Sequence, residues 1–214
     1  TTYIALAVVT GLMIAALEWN NPYTFGELNF SEKALNTIVG AINTRSLGIS
    51  AIDVSQMTGA SWLVQDISMF IGGGSGSHAG GIKVTTFTIL VLAAWAEARG
   101  RRDVEAFRRR LPQNTIRQAV AVLLVAVVLV LSVSAILLVI TPFTLDRILF
   151  EVISDFGTVG LSTGITSALP PAAKLLLALV MVVGRVGPMT LAAGLALRER
   201  RSFIRMPEER PIVG

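Results

Sequence analysis

Apolar residues gather into four long stretches, at about 3–17, 61–96, 116–140 and 172–197, separated by shorter polar segments. A helix rising 1.5 Å per residue needs roughly 20 residues to cross a bilayer core. The third and fourth stretches meet that length with some tilt. The first reads as a span in which the chain opens, so the sequence is expected to be a piece of a longer polypeptide. The second is too long for one simple crossing. In its middle lies MFIGGGSGSHAGGIKVTTF, residues 69–87. Each interior glycine costs up to about 1 kcal/mol of helix propensity relative to alanine. The pattern therefore predicts two helical pieces with a break between them. Ser75, Ser77, His78 and Lys83 of that break would be costly facing lipid and are expected to face water or protein.

Two shorter amphipathic segments lie between the long ones, at 30–50 and 144–166. Ser31 reads as an N-cap, followed by Ala34, Leu35, Ile38 and Val39 on one helix face. Leu145, Ile148, Leu149, Val152 and Ile153 repeat that period. About a dozen residues is the length of a re-entrant segment rather than a span. Both then run into glycine, as SLGIS (46–50) and TVGLS (158–162), small–apolar–Gly–apolar–Ser each time. The order span, half-helix, glycine turn, span is thus expected twice, in parallel.

Charge changes the picture next. Only 15% of the 214 residues are charged and 53% are hydrophobic; the mean hydropathy is +0.69. Soluble domains carry about 25% charged residues, so a membrane-embedded protein is expected over a soluble all-α domain. The net charge is +4. Arginines cluster between the second and third stretches (Arg99, Arg101, Arg102, Arg108, Arg109, Arg110, Arg117) and after the fourth (Arg198, Arg200, Arg201, Arg205, Arg210). The glycine-turn loops carry only Lys33, Arg45, Arg147 and Lys174. The positive-inside rule places the arginines in the cytoplasm and the turns on the outer side. It also removes the reason to read the arginines as a nucleic-acid surface.

The absence of cysteine excludes disulfides and thiolate metal sites, and His78 is the only histidine. Gly74-x-Gly76-x-x-Ala79 follows no β-strand, and Gly81-Ile82-Lys83 lacks the adjacent Gly-Lys-Ser/Thr of a P-loop, so nucleotide binding is not expected. Irregular backbone at membrane depth is tolerated where it is buried in protein or lines a water-filled cavity. Two glycine turns facing a shared axis satisfy that condition, and backbone carbonyls can replace the water around a bare cation. Ordinary external loops are the bland alternative and leave the repetition unexplained.

TVGLSTG (158–164), preceded by FEVISDFG (150–157), resembles a pore loop of the Trk/Ktr/HKT superfamily of potassium transporters. NTRSLGISAIDVS (43–55) is similar to another of its pore loops. IGGGSGSHAGGIK (71–83) resembles its intramembrane gating loop, and GRVGPMTL (184–191) its last helix. Two positions depart from the pattern: RSLGIS replaces a more Thr-, Ala- or Gly-rich approach, and His78 stands where Thr is common.

Over essentially its whole length the chain resembles the last two of the family's four repeats. The resemblance implies an all-α membrane protein with two parallel M1–pore helix–M2 repeats forming half of a pseudo-fourfold ion channel. The repeats would occupy 1–98 and 115–201, with a basic cytoplasmic linker at 99–114 and a cytoplasmic tail at 202–214. It implies no enzyme activity and no cofactor, with K+ as the transported ion and the only metal. Ser46, Leu47, Gly48 and Ile49, with Thr158, Val159, Gly160 and Leu161, would form half of a selectivity filter. Gly72, Gly73, Gly74, Ser75, Gly76, Ser77, His78, Ala79, Gly80, Gly81 and Lys83 would form the gating loop below it. Arg185 would add a positive barrier in the pore rather than snorkel to the lipid surface.

Asp155 would hydrogen-bond behind the second filter. Asp53 and Asp66 would either attract cations on the outer side or sit on a solvated face. The implied partners are the N-terminal half of the same protein, a second copy in a homodimer, a cytosolic nucleotide-binding regulatory ring and the lipid bilayer, without nucleic acid. The implied location is the bacterial inner membrane, crossed several times. A secondary transporter with a broken-helix substrate site and a non-transporting scaffold are the rival classes.

Overall fold

The computed structural model describes residues 2–45, 48–74, 80–100, 104–106 and 109–187. Among them are seven α-helices: α1 (Thr2–Glu18), α2 (Phe30–Asn43), α3 (Gly59–Phe70), α4 (Val84–Ala98), α5 (Gln113–Ile140), α6 (Leu145–Phe156) and α7 (Pro171–Val186). Short 3-10 turns at Val54–Gln56 and Thr166–Ala168 precede α3 and α7. Helix, short helix, glycine loop, 3-10 turn, helix is therefore the element order at 2–70 and again at 113–186.

The helix ends follow local chemistry. The cap of α2 lies at Asn29 rather than at Ser31, because Glu32 reaches back and accepts a hydrogen bond from the Asn29 N–H at 2.9 Å, a capping box. Thr58 caps α3 by accepting from the Ser61 N–H. Proline at the first position of α7 needs no intrahelical donor. The fourth apolar stretch was expected to continue to Leu197. Its described helix ends at Val186, followed by Gly187 at φ 84°, and residues 188–214 lie outside the described part.

The second stretch does break. α3 stops at Phe70 and α4 starts at Val84. The two sides of the break are tied at their base by a parallel bridge between Ile71 and Ile82. The Ile82 N–H donates to the Phe70 carbonyl and the Val84 N–H to the Gly73 carbonyl, both at 3.2 Å. The described residues are mostly helical, consistent with the all-α expectation, with one short addition. Within the basic linker, β1 (Glu105–Ala106) and β2 (Arg109–Arg110) pair antiparallel, and the Leu111 N–H donates to the Val104 carbonyl beside them. Such a ladder satisfies backbone groups that two helix ends would leave open.

α6 lies in the middle of the packing, with Ile148, Phe150 and Val152 fully buried against Met69 of α3, Leu137 of α5 and Val180 of α7. Polarity is inverted relative to a soluble protein. Leu124, Val128, Leu131 and Val139 of α5 are exposed, whereas Glu18, Arg45, Asp66, Glu151 and Asp155 are buried. α5, with 28 residues, is long and apolar enough to cross a membrane; α1 and α4 are shorter apolar helices.

Candidate functional site

α2 and α6 deliver the two glycine loops to one place. After α2, Thr44 and Arg45 lead toward Gly48, which has φ 62°. After α6, Gly157 leads to Thr158 at φ 52° and Gly160 at φ 89°. A side chain at Gly48 would begin 2.8 Å from the Val159 carbonyl oxygen and 3.4 Å from the Gly160 Cα. The loops thus meet backbone to backbone, and only a residue without Cβ fits both the left-handed conformation and that approach. No hydrogen bond to the carbonyls of Thr158, Val159 or Gly160 is made among the described residues. Ile49 and Leu161 follow in their loops; Ile49 is exposed and Leu161 buried. Ser46 and Leu47 lie outside the described residues.

Each loop is braced from behind. The Asn43 amide donates to the Ile49 carbonyl in the first. A chain of hydroxyls runs from Thr10 of α1 through Ser68 of α3 to Thr44 at the end of α2. In the second loop the brace is Glu151. Its carboxylate accepts from the Ser162 hydroxyl at 2.6 Å, the Thr163 N–H at 2.9 Å, the Thr163 hydroxyl at 3.2 Å and the Thr166 hydroxyl at 2.9 Å. The sequence reading gave this role to Asp155. Its Oδ2 is buried with no partner among the described residues, while its backbone carbonyl accepts the Thr158 N–H at 3.0 Å. Glu151 points at the loop's exit because it lies one helical turn before Asp155; only the loop's return path distinguishes the two.

The glycine-rich break lies directly against the second loop. Gly72 and Gly80 approach so closely that a Cβ on Gly72 would overlap the Gly80 carbonyl. A Cβ on Gly80 would begin 2.8 Å from the Phe156 carbonyl oxygen and 3.0 Å from that of Gly184. The Gly80 N–H donates to the Thr158 hydroxyl at 2.9 Å. Gly73, Gly74, Gly81 and Lys83 complete the described part of the break, Lys83 as the N-cap of α4. Ser75, Gly76, Ser77, His78 and Ala79 lie outside it. Arg185 stands exposed in the last turn of α7, next to Gly184.

Arg45 is one of the few basic residues beside the glycine turns. It is 2% exposed. Its Nη1 donates to the carbonyls of Ile71 at 3.0 Å and Gly72 at 3.4 Å, and its guanidinium lies 5.2 Å from the Tyr3 ring centroid. No sequence period marks it; its position just before a glycine turn is the only signal. Of Asp53 and Asp66, Asp53 is exposed and caps the 3-10 turn. The Ser55 hydroxyl and N–H on its carboxylate hold it below the ordinary aspartate range. Asp66 lies on no solvated face: it is buried in α3 beside an apolar groove of about 380 Å³ between α3, α4, α5 and α6.

A family model described as TrkH, cation transport protein, matches residues 1–202. The Ktr system potassium uptake protein B of Vibrio alginolyticus is 33% identical over 209 residues, covering 98% of this chain and 46% of that protein. The Ktr system potassium uptake protein B of Bacillus subtilis is 33% identical over 214 residues, 100% of this chain and 48% of the relative. The potassium/sodium uptake protein NtpJ of Enterococcus hirae is 36% identical over 220 residues, 98% of this chain and 48% of the relative. The chain spans about half the length of these curated relatives, and by the family match it belongs to the TrkH family of cation transport proteins.

Proposed function

We propose that the chain forms half of a potassium-conducting pore in a membrane, built from two parallel span–pore-loop–span repeats. The observation that carries this is the meeting of the Gly48 and Gly160 turns, both left-handed and backbone to backbone. Carbonyls without intramolecular donors are the groups that can replace a cation's hydration shell. K+ passes down its electrochemical gradient past Ser46–Ile49 and Thr158–Leu161, without covalent chemistry or a cofactor. The break at 72–83, lying against the second loop, gates the path below, with Arg185 adding a positive barrier. Relatives named for potassium uptake support K+; one named for potassium and sodium supports passage of Na+ as well.

Two repeats close only half of a four-sided pore, so the other half comes from further chain of the same protein, as relatives of twice the length suggest. Two such subunits form a homodimer in the bacterial inner membrane, with a cytosolic nucleotide-binding ring on the basic inner face. A secondary transporter of the inverted-repeat kind fits less well, because the order helix, short helix, glycine loop, 3-10 turn, helix recurs in the same sense along the chain. The test is potassium uptake by the full-length protein in a transport-deficient cell. Gly160→Ala should lower flux or K+ over Na+ selectivity, and deletion of 74–80 should raise flux. Unchanged uptake in both removes the pore assignment.

A further inference from the structure

We propose that Arg45 and Thr158 are positioning residues that fasten the two sides of the break in the second apolar stretch to the two glycine loops. Ion occupancy of the loops and the position of the break are thereby linked. Arg45 immediately precedes the first loop and holds the carbonyls of Ile71 and Gly72, where the chain enters the break. Thr158 opens the second loop, and its hydroxyl accepts the N–H of Gly80, where the chain leaves the break. One loop therefore grips each side.

Both residues are costly where they stand, which argues against incidental contact. Arg45 is fully buried, no carboxylate pairs with its charge among the described residues, and its Nε and Nη2 have no partner there. A buried cation held mainly by two carbonyls is an expensive way to pin a backbone. Thr158 is β-branched and sits at φ 52°, the only described non-glycine residue with positive φ; that conformation is rare for such a side chain. Moving either side of the break must break a bond made by a loop residue. A cation that settles a loop must, by linkage, bias the break, and a displaced break must alter the loops.

The inference rests on the pore reading above, and a double-mutant design separates the two. The full-length transporter is reconstituted without any regulator in proteoliposomes, and K+ flux is measured. Thr158→Val removes the acceptor at constant shape; Arg45→Met removes the cation at similar length. Each should raise flux by at least about fivefold, the lower end of ordinary coupling between sites. Thr158→Ser, which keeps the hydroxyl, should raise flux less than Thr158→Val, and Arg45→Lys less than Arg45→Met. The readout that a merely structural role would not move is non-additivity. In a background lacking 74–80, the Thr158→Val and Arg45→Met increments should vanish. Equal increments in both backgrounds, or no increment in the parent, overturn the clamp while leaving the pore standing. A deletion of 74–80 that itself leaves flux unchanged overturns the gate reading and the clamp together.

Discussion

Glu18 and Glu151 solve the same problem in different places. Each is a buried carboxylate whose two oxygens are filled by side-chain and backbone donors. Glu18 receives Asn21 and Thr24 on one oxygen, and the Thr58 N–H, the Thr58 hydroxyl and Ser61 on the other. Glu151 gathers Ser162, Thr163 and Thr166. A buried carboxylate survives when it is this well bonded. Glu151→Gln replaces one acceptor oxygen by an amide that can only donate, so at least one hydroxyl or N–H loses its partner. A loss of about 1–3 kcal/mol is expected, read as a lower midpoint of thermal unfolding in detergent, together with weakened K+ over Na+ discrimination. An unchanged midpoint would show that the carboxylate does not brace the loop. The glycines differ in how they fail. At Gly160 an added Cβ would meet Gly48 Cα at 3.4 Å, an ordinary contact, so Gly160→Ala costs mainly the left-handed strain, about 1–2 kcal/mol. At Gly184 the added Cβ would overlap the Phe156 carbonyl. There α7 must move off α6, and Gly184→Ala should cost clearly more in the same unfolding measurement.

Between elements, the sequence was most readable where burial follows a period. The run Leu145, Ile148, Leu149, Val152, Ile153 predicts α6, with Ile148, Val152 and Ile153 buried, and the glycine density predicts where the second stretch breaks. What the period cannot carry is the direction of isolated polar side chains. Arg45 is irregular in sequence, and its burial depends on carbonyls 26 and 27 residues further on. Asn29 displaced Ser31 as the cap because a glutamate happens to stand three residues after it. The ladder in the linker depends on backbone pairing, which hydropathy ignores. Glu18 likewise ends an apolar stretch and looks like a simple stop signal. It is the latch between α1 and α3, because Thr58, its partner, is the cap of α3. Glu18→Ala should cost at least about 2 kcal/mol, since charged hydrogen bonds and a cap's support are lost together. Amide exchange at Thr58 to Ser61 should quicken well before global unfolding; unchanged protection there would mean that α3 holds its first turn without Glu18.

For the molecule as a whole, the inverted distribution of polarity is the strongest statement about its surroundings. α5 turns Leu124, Val128, Leu131 and Val139 outward, with Val139 86% exposed, while Ala126, Val130 and Leu137 pack inward. In water, so large an apolar surface would drive association; in lipid it has no such cost. The two environments assign opposite energies to one substitution. Val128 is 62% exposed near the middle of α5. In a soluble protein, a lysine at such a surface position changes stability by less than about 0.5 kcal/mol. At the centre of a bilayer-spanning helix it costs about 2.5–3.5 kcal/mol of insertion free energy. Val128→Lys should therefore reduce membrane insertion of the α5 segment sharply, scored by glycosylation of flanking acceptor sites in microsomes. Gln118→Lys, five residues into α5 on its basic side, should insert as the parent does. Equal insertion of all three would place α5 outside the hydrocarbon and remove the membrane frame on which the pore depends.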